Sequence, residues 1–236
     1  MARQFIHYGV SLLLVQAALG CSPQTSQGNQ TAEPVANATS VSNAATPTVD
    51  TKLVVAFGDS LYAGYSLGSN DGFAPVLEKA LTAQGIKASV FNAGVSGDTS
   101  AAGRDRLAFT LDGLPRKPDL VIVGLGGNDV LRGLDPVQTR ANLDAILAEL
   151  KKRGIPAVLT GMLAPPNMGA DYATSFNSIF PDLAKKYDAP LYPFFLEGTL
   201  GNRALMLPDS IHPNEKGVQT IVARVAPLIG KALAQQ

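Results

Sequence analysis

Val54-Val55-Ala56-Phe57-Gly58-Asp59-Ser60-Leu61 runs from an apolar stretch into a glycine, an acid and a serine. The apolar part is too short for a helix and carries β-branched side chains, so it reads as a buried strand. Gly58 offers the backbone a sharp turn. Ser60 then falls at the carboxyl end of the strand, where open α/β sheets bind ligands. A serine hydroxyl is a weak nucleophile at neutral pH until a neighbouring base takes its proton. The rest of the chain is therefore read for a base, an acid to orient it and donors for an oxyanion.

Outward from this strand, apolar runs alternate with helical periodicity. A helix is expected over Phe73–Gln84, stopped by Gly85, and a strand over Ser89–Asn92. The turn Ala93-Gly94-Val95-Ser96-Gly97-Asp98-Thr99 ends at a helix cap, and a helix follows from Ser100 to Leu111. Leu120–Val123 is the plainest strand and ends in Gly124-Leu125-Gly126-Gly127-Asn128-Asp129. Asp135-Pro136 opens a helix to Arg153, with Gly154 as its stop. Ala157–Thr160 is a strand, Tyr172–Tyr187 a helix bent at Pro181, Leu191–Pro193 a short strand, and a last helix follows Pro213 until Pro227 kinks or ends it. Strands alternating with helices predict an α/β fold with a parallel sheet covered on both faces. The carboxyl ends of parallel strands share one edge, so Ser60, Gly97 and Asn128 can meet there.

Composition narrows the classes. The 236 residues are 46% hydrophobic and 16% charged with no net charge, which suits one core and gives no surface for nucleic acid. The basic runs Lys151-Lys152-Arg153 and Lys185-Lys186 read as solvated helix ends. Three segments are expected: a signal peptide over 1–21, a polar tether over 22–50 and a folded domain over 51–236. Arg3 and the apolar run Tyr8–Leu19 are too short to span a bilayer but suit a signal peptide. Ala18-Leu19-Gly20-Cys21 resembles a bacterial lipobox, in which Cys21 is lipidated; Ala18-x-Gly20 equally fits an ordinary cleavage site. Cys21 is the sole cysteine, so no intrachain disulfide is available. Residues 22–50 hold almost no large apolar side chains and read as a flexible tether. The expected location is the bacterial periplasm, with the protein anchored to the outer membrane and monomeric.

The chain has two histidines, His7 and His212. His7 falls in the segment expected to be removed, so a histidine base for Ser60 has to be His212. Asp209-Ser210-Ile211-His212 sets a carboxylate three residues ahead of it, close enough in a tight turn to hold imidazole Nδ1 and leave Nε2 free for the serine proton. Taken singly, each has a plainer reading: Ser60 as a helix cap, Asp209 and Asn128 as turn residues, His212 at a helix start. Asn128 also carries an NH2 group that can reach an oxyanion, together with the backbone N–H groups of Gly97 and Ser60. Asp59 reads as a turn holder. There is no Gly-x-Ser-x-Gly around Ser60, since Tyr62 takes the second glycine place. Neither glycine-rich turn matches a nucleotide-binding pattern, and one histidine with one cysteine supplies no zinc site, so no cofactor or metal is expected.

In order and spacing, Gly58-Asp59-Ser60-Leu61, Gly97, Gly126-Gly127-Asn128-Asp129 and Asp209-x-x-His212 resemble the four blocks of the SGNH, or GDSL, hydrolase superfamily. The resemblance spans about residues 52–232, and within the superfamily it points to the bacterial thioesterases, arylesterases and lysophospholipases. It implies a flavodoxin-like three-layer sandwich on five parallel strands, and metal-free hydrolysis of acyl esters and thioesters, lysolipids included. It implies Ser60, Asp209 and His212 as the catalytic set, Ser60, Gly97 and Asn128 as the oxyanion hole, and Leu125, Val130 and Leu131 around the acyl site. Deacetylation of cell-wall or other sugars, and cleavage of diacyl phospholipids, are alternatives on the same fold. A non-catalytic lipoprotein binding a glycan or a protein is the alternative of another class.

Overall fold

The computed structural model describes residues 51–235, so the expectations for Cys21 and the tether lie outside the described residues. β1 covers Lys52–Gly58 and is followed by a one-turn helix α1, Ser60–Ala63, whose first turn is capped by the Asp59 carboxylate accepting the Leu61 N–H. Next come α2 (Phe73–Ala83), β2 (Ala88–Gly94), α3 (Ser100–Asp112) and β3 (Leu120–Gly124). A second one-turn helix, α4 (Gly127–Leu131), precedes α5 (Pro136–Lys152) and β4 (Ala157–Thr160). The chain closes with α6 (Ala170–Asn177), α7 (Ile179–Tyr187), β5 (Leu191–Tyr192) and α8 (Glu215–Ala234).

The five strands run in the order β2-β1-β3-β4-β5, every pair parallel. Alternation along β1 shows why the sheet needs cover on both sides. Val54 and Ala56 join Leu120, Ile122 and Val158 against α2 and α8. Val55 and Phe57 join Val121, Val123 and Leu159 against α3, α5, α6 and α7. The result is the expected three-layer α/β sandwich. Among the described residues no helix is long and apolar enough to cross a membrane.

Three expectations need correction. Gly58 does not have a left-handed φ; it is the last residue of β1. Its bare Cα makes room for Tyr62, whose ring lies 2.4 Å from where a Gly58 Cβ would sit and 2.1 Å from where a Gly124 Cβ would sit. That ring threads between the ends of β1 and β3 and bonds Thr160 on β4 through its hydroxyl at 2.6 Å. The helix expected over Tyr172–Tyr187 is two helices, and the break falls at Ser178, not at Pro181. Pro181 sits in the first turn of α7, where an N–H has no intrahelical acceptor and its loss costs little. Pro227 does not end the last helix either: α8 continues to Ala234, with Ile229, Ala232 and Leu233 buried beyond the proline.

Candidate active site

Ser60 opens α1 one residue after β1, at the sheet's carboxyl edge. Its Oγ lies 2.8 Å from Nε2 of His212, and Nδ1 of His212 lies 2.7 Å from Oδ2 of Asp209. The other Asp209 oxygen accepts the backbone N–H groups of Ile211 at 2.9 Å and His212 at 3.0 Å. Those contacts, the His212 N–H first and the Ile211 N–H second, lower the Asp209 carboxyl to about 2. An ionised carboxylate only accepts, so Nδ1 carries the imidazole proton and Nε2 presents its lone pair to the serine hydroxyl. Ser210 takes a left-handed φ of 59° inside this turn. The turn is tied to its surroundings by Leu207 N–H to His212 O, 2.7 Å, and Asn214 N–H to Leu205 O, 2.9 Å.

On the other side of Ser60 stand potential donors to an anionic oxygen. Gly97 has φ 87°, a conformation that favours glycine. Among the described residues neither its N–H nor that of Ser60 has an acceptor. Asn128 lies in α4, entered through Gly126 at φ 108°. One hydrogen of its amide nitrogen goes to the Asp98 carbonyl, 3.0 Å, which leaves the second available. Arg106 braces this loop: its Nε donates to Asp98 at 2.6 Å, its Nη2 to Gly58 O at 2.9 Å, and its guanidinium lies 4.1 Å over Phe57. Arg132 donates to Gly97 O at 2.8 Å.

The residues meet in a cavity of about 830 Å3 lined by Ser60, Gly97, Asn128 and His212. Val130 and Leu131 line it as expected, but Leu125 does not. Leu125 is fully buried and packs against Gly103 of α3, where the bare Cα leaves room for its side chain. A second cleft, of about 660 Å3, contains none of these residues and gathers the amino-terminal residues of β3 and β4 with Tyr187 and Pro190.

Three features escaped the sequence reading. Asp129 is buried and accepts from Ser100 N–H, Ser100 Oγ and Thr139 Oγ1, so it ties the Asn128 turn to the start of α3. Its place directly after Asn128, on a turn between apolar runs, was the available signal. Arg106 lies eight residues from Asp98, a spacing that pattern reading does not pair. Tyr65 stacks on His212 with ring centroids 4.4 Å apart, and no local pattern marks it. Asp59 is the expected turn holder, and burial pushes its carboxyl up to about 6, against the opposing Leu61 N–H.

The arrangement can take a proton from a hydroxyl, hold it on an imidazole and face an anionic oxygen with N–H donors. Known proteins resemble the chain at several levels. The GDSL-like Lipase/Acylhydrolase family model matches residues 56–220. Esterase TesA of Pseudomonas aeruginosa is 38% identical over 179 residues, 76% of this chain and 87% of that protein. Thioesterase 1/protease 1/lysophospholipase L1 of Escherichia coli K12 is 41% identical over 165 residues, 70% of this chain and 76% of that protein. The crystal structure of AlinE4, an SGNH-hydrolase family esterase, superposes with a TM-score of 0.67 at 50% identity, covering 79% of this chain and 99% of that one. From its sheet, its cavity and this match across most of its length, the chain belongs to the GDSL-like lipase/acylhydrolase family, the SGNH hydrolases, and is a hydrolase.

Proposed function

We propose that the protein is a serine esterase that cleaves acyl esters and thioesters of small or lysolipid type, with Ser60, His212 and Asp209 as its catalytic residues. Ser60 Oγ attacks the acyl carbonyl while Nε2 of His212 takes the hydroxyl proton. The carbonyl electron pair moves to oxygen and is held by the N–H groups of Ser60 and Gly97 and by the Asn128 amide. As the intermediate collapses, the bond to the leaving oxygen or sulfur breaks and that atom receives the proton from Nε2. Water, deprotonated by the same nitrogen, then cleaves the acyl-Ser60 ester and returns the enzyme. Asp209 keeps the imidazole in the required tautomer throughout and steadies its charged form. Val130 and Leu131 supply apolar surface for the acyl group. The names of the relatives, an esterase and a thioesterase/lysophospholipase, support this substrate range.

The observation that carries the reading is the continuous contact from Asp209 through His212 to Ser60, at 2.7 and 2.8 Å, beside two unpartnered N–H groups. A fluorophosphonate probe should label the protein at Ser60, and Ser60→Ala and His212→Ala should both abolish labelling and nearly all ester turnover. Labelling that persists in Ser60→Ala overturns the assignment.

The proposed setting is the periplasmic face of the outer membrane, with acyl chains on Cys21 holding the domain by its tether. Each buried methylene contributes about 0.8 kcal/mol, so two or more chains suffice for stable anchoring. Cys21→Ser should move the protein from the membrane to the soluble fraction. A wild-type Cys21 found unmodified by mass spectrometry ends this part of the proposal.

A further inference from the structure

The sheet divides the mouth of the cavity into two rims. Gly97 and Asn128 lead into α3 and α4 on the layer that contains α5, α6 and α7. His212 lies just before α8, and Tyr65 between α1 and α2, on the opposite layer. Once the carbonyl oxygen is held on the first rim, the leaving atom must face His212 on the second, because Nε2 has to hand it a proton. Whatever substituent the leaving atom carries is then laid along the His212 rim.

That rim is built of exposed apolar side chains. Tyr65, Leu200 and Ile211 all line the cavity and are 46, 51 and 42% exposed. Tyr65 lies between two left-handed residues, Gly64 at φ 79° and Ser66 at φ 57°, and its ring is held against the imidazole. A serine in that conformation is strained, and the turn that places Tyr65 is held by the Tyr65 N–H to Ser60 O and by Leu67 N–H to Gly64 O. Among the described residues no lysine or arginine lines the cavity. Arg132 is engaged with Gly97 O on the oxyanion rim, and Arg203, close in sequence to Leu200, is not among the lining residues. The Asp209 carboxylate, bonded to the Ile211 N–H, adds negative potential beside the shelf.

We infer that Tyr65, Leu200 and Ile211 form a leaving-group site that takes an uncharged apolar or aromatic alcohol or thiol and disfavours a phosphorylated one. The inference rests on the roles proposed for Ser60 and His212. It names a substrate class narrower than the family's: neutral esters and thioesters are preferred over acyl-coenzyme A or lysophospholipids with the same acyl group.

The test compares S-(2-phenylethyl) thiobutyrate with butyryl-coenzyme A on the full chain. Both are alkyl thioesters and both give the same butyryl-Ser60 species, so their difference in kcat/KM reports the leaving group alone. The apolar thioester should be favoured by about tenfold or more, a difference one apolar contact can supply. Leu200→Arg and, separately, Ile211→Arg should shrink that preference by about fivefold or more, through a gained cation and a lost apolar contact. Both positions are partly exposed, and a melting curve on each variant checks that the fold is intact. A wild-type preference under about tenfold, or one that both folded variants leave in place, overturns the leaving-group site. Fluorophosphonate labelling of Ser60 in the same preparation separates the two failures: a labelled enzyme with the wrong preference sinks only this inference, while an unlabelled one sinks the catalytic assignment beneath it.

Discussion

Asn128 shows what a single amide must do here. One of its hydrogens holds the Asp98 carbonyl, and the other is the proposed oxyanion donor. Loss of one such donor lowers kcat by about 10²–10³, or roughly 2.7–4 kcal/mol. Asn128→Ala should fall in that range with KM changed much less, because the contact strengthens in the transition state. Asn128→Asp should be worse, since a carboxylate repels the oxyanion. A lowered melting temperature with normal kcat would leave Asn128 as a turn residue only. Asp59 makes a different forecast. Its carboxyl is raised to about 6 by burial, above its unfolded value of 3.8, so the folded state holds the proton more tightly and stability falls as pH rises across that window. Asp59→Asn keeps an oxygen for the Leu61 N–H and removes the buried charge. At about pH 7.5 the gain should be about 2–3 kcal/mol, and at about pH 4.5 less than half of that. Paired thermal melts at the two pH values check it; an equal gain at both contradicts the assignment. Single residues were legible in the sequence where chemistry limits the choice: the one histidine outside the expected leader is the one whose Nε2 lies 2.8 Å from Ser60 Oγ. Leu125 was misread because apolar character alone does not tell a cavity wall from a core, and only the helix packed above it decides.

Elements explain the remaining misreadings. A proline was taken twice as a breaker, at Pro181 and Pro227, and neither breaks its helix. At Pro181 the lost N–H was an orphan in any case, and at Pro227 burial on α8 continues on both sides. The strands were legible because buried parallel strands are nearly continuous apolar runs. The one-turn helices α1 and α4 were not, since four or five residues carry no periodicity. The loop from β5 to α8 carries a testable defect. The Thr199 hydroxyl is buried without a hydrogen-bond partner among the described residues, and its methyl lies 3.0 Å from where a Gly217 Cβ would sit. An unpaired buried hydroxyl costs about 1–3 kcal/mol, so isosteric Thr199→Val should raise stability by about 1 kcal/mol. For a domain of this size that is about 2–4 °C in Tm. A fall in Tm would mean that the hydroxyl is satisfied in solution. In the turn between β2 and α3, Gly97→Ala should lower kcat with a modest fall in Tm: nothing but Arg132 lies within 4 Å of the added methyl, so the cost is strain at the φ of 87° that orients its N–H.

At the scale of the whole molecule, the candidate site and the core belong to one sandwich and are interleaved along the same stretch of chain. The family match runs over 56–220 and β1 begins at Lys52. A chain shortened to begin at Thr51 should therefore match the full protein in Tm and in kcat/KM on a soluble ester. Lower activity on the soluble ester would show that residues before Thr51 reach the site. The fold class was legible because alternation of strand and helix is a property of the whole chain. The convergence of the site was legible only in outline, because the distance from Ser60 to His212 depends on a β5–α8 loop that carries Asp209-x-x-His212 but no periodicity to say how it folds.

The proposed nucleophile and its base are 152 positions apart, and β1, the strand that leads to Ser60, is the first made yet sits inside the sheet, between β2 and β3. A ribosome releases the chain from its N-terminus at about 5–20 residues per second. All five strands have been made by Tyr192, twenty residues before the base at His212. α8, which follows His212, covers one face of the sheet together with α2. An unfinished chain thus lacks both the proposed base and part of the cover over that face. On the proposed catalytic assignment the topology acts as a timer: every product that stops short of His212 lacks the base, and a chain that has gained it runs on at once into α8, one of the two helices over that face.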